Sequence, residues 1–194
     1  INLLKKNGGQ KTHKNIRMVR SIFKRCNTSI NGAARVRSEG KNTTMTVKIY
    51  KDKKFPEEYE VTIKEDFEAG KQFLTALNLK MKSYQETYRE KWSLPINGVH
   101  EITFDTWPGI PTFMEIDCTS EKTLNHVKNL LNIQEDKITY GAAIKKYNLY
   151  YGIPEEMGYK IKNITFKELE KNVKPRKNKD LFKRTITAQR KSLR

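Results

Sequence analysis

The chain has 194 residues, enough for one full-sized domain and too few for two ordinary ones. Its 39 Lys and Arg against 22 Asp and Glu give a formal charge of +17, which selects anionic partners: nucleotides, polyphosphate, nucleic acid or an acidic surface. No run approaches the roughly 18 apolar residues of a bilayer span, so no membrane partner is expected, and the scattered cysteines and histidines argue against a zinc site.

Ile rather than Met opens the chain, so it reads as a fragment or processed product with a targeting sequence or a first strand expected upstream. Residues 1–9 look like the end of a helix, with Lys5 and Lys6 in its last turn and Gly8-Gly9 stopping it. Ile16 to Lys24 reads as a strand of poor alternation. Arg35 to Arg37 and Thr43 to Tyr50 flank Ser-Glu-Gly-Lys-Asn, which suits a hairpin. Lys51 to Pro56 is a basic loop and Glu57 to Lys64 returns as a strand. Asp66 then caps a helix with Phe67, Leu74 and Leu77 on one side.

Ser83 to Trp92, Val99 to Asp105 and Thr112 to Cys118 form a second batch of strands, separated by Pro- and Gly-containing turns. Ser120 opens a helix carrying Leu124, Val127 and Leu131, and another runs through Gly141 to Leu149. Residues 160–194 hold thirteen Lys or Arg against three Asp or Glu, with one short helix signalled by Thr165-x-x-Glu168. The division expected is therefore one domain over 1–158 and a basic C-terminal tail over 159–194, mobile when unbound. Cys26 and Cys118 read as reduced thiols of a cytoplasmic or otherwise intracellular protein, viral ones included, with Cys118 buried on an apolar strand face.

Several of these strands alternate charge with apolar residues: Arg35-x-Arg37, Thr44-x-Thr46-x-Lys48, Glu58-x-Glu60, Glu101-x-x-x-Asp105 and Glu115-x-Asp117. Strand side chains point alternately to opposite faces, so each segment sorts its charges to one side. The early segments are cationic and the later ones acidic, as expected if opposite walls of one cavity face each other. With helices on the apolar faces, the charged faces close around a polar interior.

In this order and parity the residues from about Gly32 to Gly152 resemble the triphosphate tunnel metalloenzymes of the CYTH superfamily. That superfamily includes class IV adenylate cyclases, thiamine and inorganic triphosphatases and the RNA triphosphatases of viral and fungal mRNA capping. The resemblance implies an α+β fold, an antiparallel eight-stranded β tunnel with a charged interior and helices packed outside. It also implies that Arg35, Arg37, Lys48 and Arg89 bind the triphosphate, that Glu115 and Asp117 hold Mg²⁺ or Mn²⁺, and that Glu58, Glu60 and Asp105 serve catalysis, either by binding a second ion or by orienting water. Guanidinium forks suit phosphate oxygens, and hard carboxylate oxygens suit a hard dication. Lys91 shares the parity of Arg89 and reads either as a further grip residue or, in preference, as a solvated lysine. The family's Glu-x-Glu-x-Lys first strand is absent from these residues, Asp117 replaces a glutamate, and Thr87 stands where a lysine is often found.

The expected activity is hydrolysis of a nucleoside triphosphate, inorganic triphosphate or RNA 5′-triphosphate. The alternatives are a class IV-like cyclase, in which a ribose 3′-hydroxyl replaces water, and a non-catalytic triphosphate or nucleic-acid binder. The expected partners are a triphosphate-containing small molecule or an RNA 5′ end, nucleic acid on the basic tail, and a second copy of the chain, since family members are often dimers.

Overall fold

The computed structural model describes residues 1–25, 31–50 and 57–193. Seven strands form one antiparallel sheet: β1 (Gln10–Lys24), β2 (Asn31–Glu39), β3 (Asn42–Tyr50), β4 (Glu57–Ile63), β5 (Lys80–Ser93), β6 (Val99–Thr106) and β7 (Phe113–Cys118). Their spatial order is β4-β3-β2-β1-β5-β6-β7, and a two-residue β8 (Asn163–Ile164) adds to β5 in parallel. The sheet curls into a half-barrel with helices outside, as expected of an α+β fold. Among the described residues β4 and β7 remain its two edges, so the closed ring of eight antiparallel strands is met by seven such strands and one short parallel one.

β1 runs through the middle, hydrogen-bonded to β2 on one side and β5 on the other. Its poor sequence alternation follows from that position and from register shifts at Lys11/His13, His13/Ile16 and Ile22/Phe23. A strand flanked on both sides buries residues on both faces, here Met18 and Arg20 on one and Ser21 and Phe23 on the other. The β2–β3 hairpin closes through Gly40 at φ +60°, a left-handed position that glycine adopts without a Cβ clash. Lys51 to Pro56, read as a basic loop, and Cys26 lie outside the described residues.

Helix α1 (Asn2–Lys6) ends at Gly8, φ +81°, and sends Leu4 into a cluster with Trp92, Leu94, Ile102, Val127 and Leu131. Helix α2 (Phe67–Ala76) begins where Asp66 accepts a hydrogen bond from the Ala69 amide at 2.8 Å. It lays Leu74 on Phe23, Ala34 and Val36, while Leu77 lies just past its end, 57% exposed, and does not join that face. Helix α3 (Glu121–Leu130) is capped by Ser120, whose hydroxyl accepts from the Thr123 amide at 3.1 Å.

The stretch expected as a tail packs onto the rest of the chain. Helices α4 (Lys145–Tyr151), α6 (Leu169–Asn172) and α7 (Lys179–Ser192), with α5 (Glu155–Gly158) lying against α4, and β8 build the largest apolar cluster. Ile161, Ile164, Leu169, Val173, Phe182 and Ile186 are buried there with Trp107, Ile110, Tyr147 and Tyr151. The basic residues hide an apolar stripe: Phe182, Ile186 and Gln189 recur at helical spacing along α7 and are its buried side. The Thr165 hydroxyl does accept from the Glu168 amide at 3.1 Å, but in the turn ahead of α6, whose own N-cap residue is Glu168.

This C-terminal lobe closes one end of the sheet. β6 pairs with β5 only from Tyr88 to Trp92; at Tyr84 and Gln85 the same edge of β5 is taken by β8. Between β6 and β7 the turn at Trp107–Ile110 is held by α7 and α4. The Gln189 amide oxygen accepts from the Gly109 amide at 2.8 Å, and its nitrogen donates to the carbonyls of Ile110 and Trp107 at 2.9 and 3.1 Å. The Tyr147 hydroxyl donates to Pro108 O at 2.8 Å and that of Tyr151 to Gly109 O. Gly109 has φ +72°, and a Cβ there would meet Phe182 at 2.8 Å, so only glycine fits.

Candidate functional site

Register fixes which side chains share the face opposite α2. Opposed pairs place Glu60 by Thr46, Glu58 by Lys48, Thr46 by Arg35, Arg37 by Arg20, Arg89 by Asp105 and Thr103 by Glu115. Every residue singled out from the sequence, namely Arg35, Arg37, Lys48, Glu58, Glu60, Arg89, Asp105, Glu115 and Asp117, therefore lies on this one polar face. Ala34 and Val36, between the arginines, lie on the other face under α2.

The signs are sorted differently from the two opposing walls expected. The arginines come from the central strands β1, β2 and β5, and exposed carboxylates come from both edges, β4 and β7. Glu58 and Glu60 neighbour the cations of β2 and β3 instead of facing them across a cavity. Arg35 donates to Glu60 at 3.0 Å, Arg37 lies 3.4 Å from Glu60 and 3.7 Å from Glu39, and Lys48 donates to Glu58 at 2.5 Å. Arg89 binds Asp105 through both ends of its guanidinium, Nε to Oδ1 at 2.6 Å, and reaches Glu115 at 2.9 Å. Lys91 is no solvated lysine: it lies 2.7 Å from Glu39 and 3.4 Å from Glu101.

These pairs set the electrostatics. Burial works to raise the Glu60 carboxyl, but the Thr46 hydroxyl, Arg37 and Arg35 outweigh it and hold the group below the usual range. Glu39 is held low in the same way by Lys91, Arg37 and Arg89. Glu115, exposed at one end of its side chain, moves upward, first through desolvation of the part the sheet covers and then through the charge of Asp105, against the pull of Arg89. Burial also lowers Arg35, with Arg37 adding repulsion, while Arg89 is raised because Asp105, Glu115 and Glu101 outweigh its burial.

Comparison with known proteins agrees with this architecture. The family profile of the CYTH domain matches residues 26–193. The chain belongs to the CYTH domain family. Among solved structures, protein PH1012 of Pyrococcus horikoshii aligns with 74% of this chain and 89% of its own length at 17% identity and TM-score 0.59. A conserved hypothetical protein of Pyrococcus furiosus aligns with 74% of this chain and 90% of its own length at 19% identity and TM-score 0.56. A candidate adenylate cyclase of Vibrio parahaemolyticus aligns with 74% of this chain and 87% of its own length at 12% identity and TM-score 0.60. At such identities these likenesses show the fold. No curated protein sequence matches the chain.

The CYTH match runs past Gly152 to residue 193, in keeping with a C-terminal lobe that is part of the fold. Among the described residues no three His, Cys, Asp or Glu form a ready metal cage. Glu115 and Asp117 do alternate on one face of edge strand β7, both exposed, and hard oxygens of this kind fit Mg²⁺, which commonly takes one or two carboxylates and completes its shell with water and phosphate. His13, His100 and His126 are exposed and in no such group. Cys118 is half-buried, not buried, its thiol 3.5 Å from the Ser120 carbonyl. No helix of the described residues is long and apolar enough to cross a membrane.

Sequence reasoning missed Arg20 in this CYTH sheet. It is 7% exposed, its Nη2 donates to the Thr87 hydroxyl at 2.7 Å, and its guanidinium lies 5.1 Å from the centre of the Trp107 ring. Thr87 thus receives a cation from the neighbouring strand at the position where the resemblance leads one to expect a lysine. The parity of Arg20 with Arg37 was the one available signal, and the apolar Ile16, Met18 and Ile22 that share its face obscured it.

Proposed function

We propose that this CYTH chain is a metal-dependent phosphohydrolase that takes a triphosphate, as free nucleotide, inorganic triphosphate or RNA 5′ end, onto the polar face of the half-barrel. The observation that carries this reading is the pair Arg35 and Arg37, adjacent on β2, each with a buried Nε that has no hydrogen-bond partner among the described residues. Buried donors without partners are costly, and phosphate oxygens would satisfy them.

Arg35, Arg37, Lys48 and Arg89 grip the phosphate chain and stabilise charge as it builds in the transition state. Glu58 and Glu60 hold the cations of β2 and β3 in place, Asp105 fixes the plane of the Arg89 guanidinium, and these carboxylates orient the attacking water. Its oxygen bonds to the terminal phosphorus as the bond to the bridging oxygen breaks, releasing phosphate and the shortened chain. Mg²⁺ or Mn²⁺ held by Glu115 and Asp117 would polarise the phosphoryl group.

The likeness to the Vibrio protein favours a second reading, an adenylate cyclase in which a ribose 3′-hydroxyl attacks with the same residues in place. A third reading is a triphosphate binder without turnover, for which the grip of Arg35, Arg37, Lys48 and Arg89 suffices. One assay separates them: incubation with tripolyphosphate, ATP and 5′-triphosphate RNA in Mg²⁺ or Mn²⁺. Release of phosphate supports the hydrolase, cyclic nucleotide with pyrophosphate the cyclase, and saturable binding with neither product the binder. Absence of both product and binding refutes all three.

A further inference from the structure

We propose that Arg20 is a ligand-binding residue whose guanidinium takes the phosphoryl group seated deepest on the polar face, between β2 and β5. This rests on the triphosphate reading above. The other arginines of the face, with Lys48 and Lys91, each have a carboxylate among the described residues: Arg35 and Arg37 have Glu60, Lys48 has Glu58, Arg89 has Asp105, and Lys91 has Glu39. Arg20 is the exception. Among the described residues no carboxylate lies within ion-pair distance of it, and its buried Nε has no hydrogen-bond partner. Its surroundings are cationic: burial first, then the charges of Arg35, Arg89 and Arg37, press its pKa down to about 9, against the weaker pull of Asp105.

A buried guanidinium among three others, without a counter-ion, is a costly arrangement for the fold to maintain. Thr87 and Trp107 orient it without neutralising it. Trp107 in turn belongs to the turn locked by Gln189, Tyr147 and Tyr151, so the C-terminal lobe fixes the plate on which the guanidinium lies. An arginine stays protonated at neutral pH, and its fork suits the oxygens of a phosphoryl group. The geometry is that of a preformed anion seat, not of an internal salt bridge.

The test is tripolyphosphate binding by calorimetry, alongside the melting temperature without ligand, for the full chain and its Arg20→Met and Arg20→Lys variants. The expectation is that Arg20→Met binds about 30-fold more weakly, in line with loss of charge-assisted hydrogen bonds, while Arg20→Lys recovers part of the affinity. Ligand-free Arg20→Met should also melt higher than wild type, because an unpaired buried charge has been replaced by an apolar side chain of similar length. A purely structural arginine gives the opposite: a lower melting temperature, with tripolyphosphate binding within about threefold of wild type, and that result overturns the proposal. Failure of the wild-type chain to bind tripolyphosphate overturns the parent reading and this one with it, and is distinct from loss confined to the variants.

Discussion

Arg89 and Asp105 face each other across β5 and β6 and meet fork to fork, with Asp105 1% exposed. Removing one partner of a buried pair leaves the other charge uncompensated. Asp105→Asn should therefore cost about 3 kcal/mol of stability, measured by urea unfolding, with partial recovery in a double variant that also replaces Arg89 by Met. Full additivity of the two substitutions would contradict the coupling.

Glu39 supplies a pH dependence. Its folded pKa lies below the usual glutamate value because Lys91 and Arg37 outweigh burial, so its contribution to stability is present above the unfolded pKa and fades as pH falls through the folded one. Glu39→Gln should lower stability near neutrality and flatten the acid limb of the stability curve. Thermal melts of both proteins between neutral and strongly acidic pH would reveal it, and parallel curves would refute it.

Gln189 is one side chain serving three backbone groups of the Trp107–Ile110 turn. The substitution Gln189→Leu preserves volume but takes the side-chain partner from the Gly109 amide and the Ile110 carbonyl, and leaves the Trp107 carbonyl only the Ile110 amide. The expected loss is about 3 kcal/mol, accompanied by a change in tryptophan fluorescence as the Trp107 indole shifts. An unchanged spectrum and unfolding midpoint would show the turn to be held by its own geometry.

Deleting residues 160–194 would be a clean test of nucleic-acid binding for a detachable tail, but here it removes Ile161, Ile164, Phe182 and Ile186 from the main core. The truncated chain should lose the cooperative transition and cease to bind tripolyphosphate. Charge removal at exposed Lys177, Lys183 and Arg184 probes RNA binding without touching the core. It should reduce the salt slope of RNA binding by about 0.7 for each single-strand phosphate that is no longer neutralised, with tripolyphosphate binding unchanged.

Much of the polar face was legible because strand parity is a local property. Arg35-x-Arg37, Glu58-x-Glu60 and Glu115-x-Asp117 needed only alternation to fall on one face, and the caps at Asp66 and Ser120 needed only a hydroxyl or carboxyl before an apolar period. Strand order is not local, which is why Glu58 and Glu60 were expected across a cavity and stand instead beside the cations they neutralise. Arg20 stayed hidden because a central strand packed on both sides loses the clean alternation that marks a one-sided one. The α7 core stripe was present as Phe182, Ile186 and Gln189, but each is flanked by lysine, arginine or polar residues that dominate a count of composition.

The internal pairing of the polar face has a wider consequence. Its carboxylates are about as numerous as its cations, so most of the surplus charge of +17 is carried by the rest of the molecule. Long-range attraction of a polyanion is then the work of the exterior, whereas inside it meets guanidinium donors still free beside those the carboxylates already hold. Ionic strength should accordingly slow capture far more than it loosens what has already been captured.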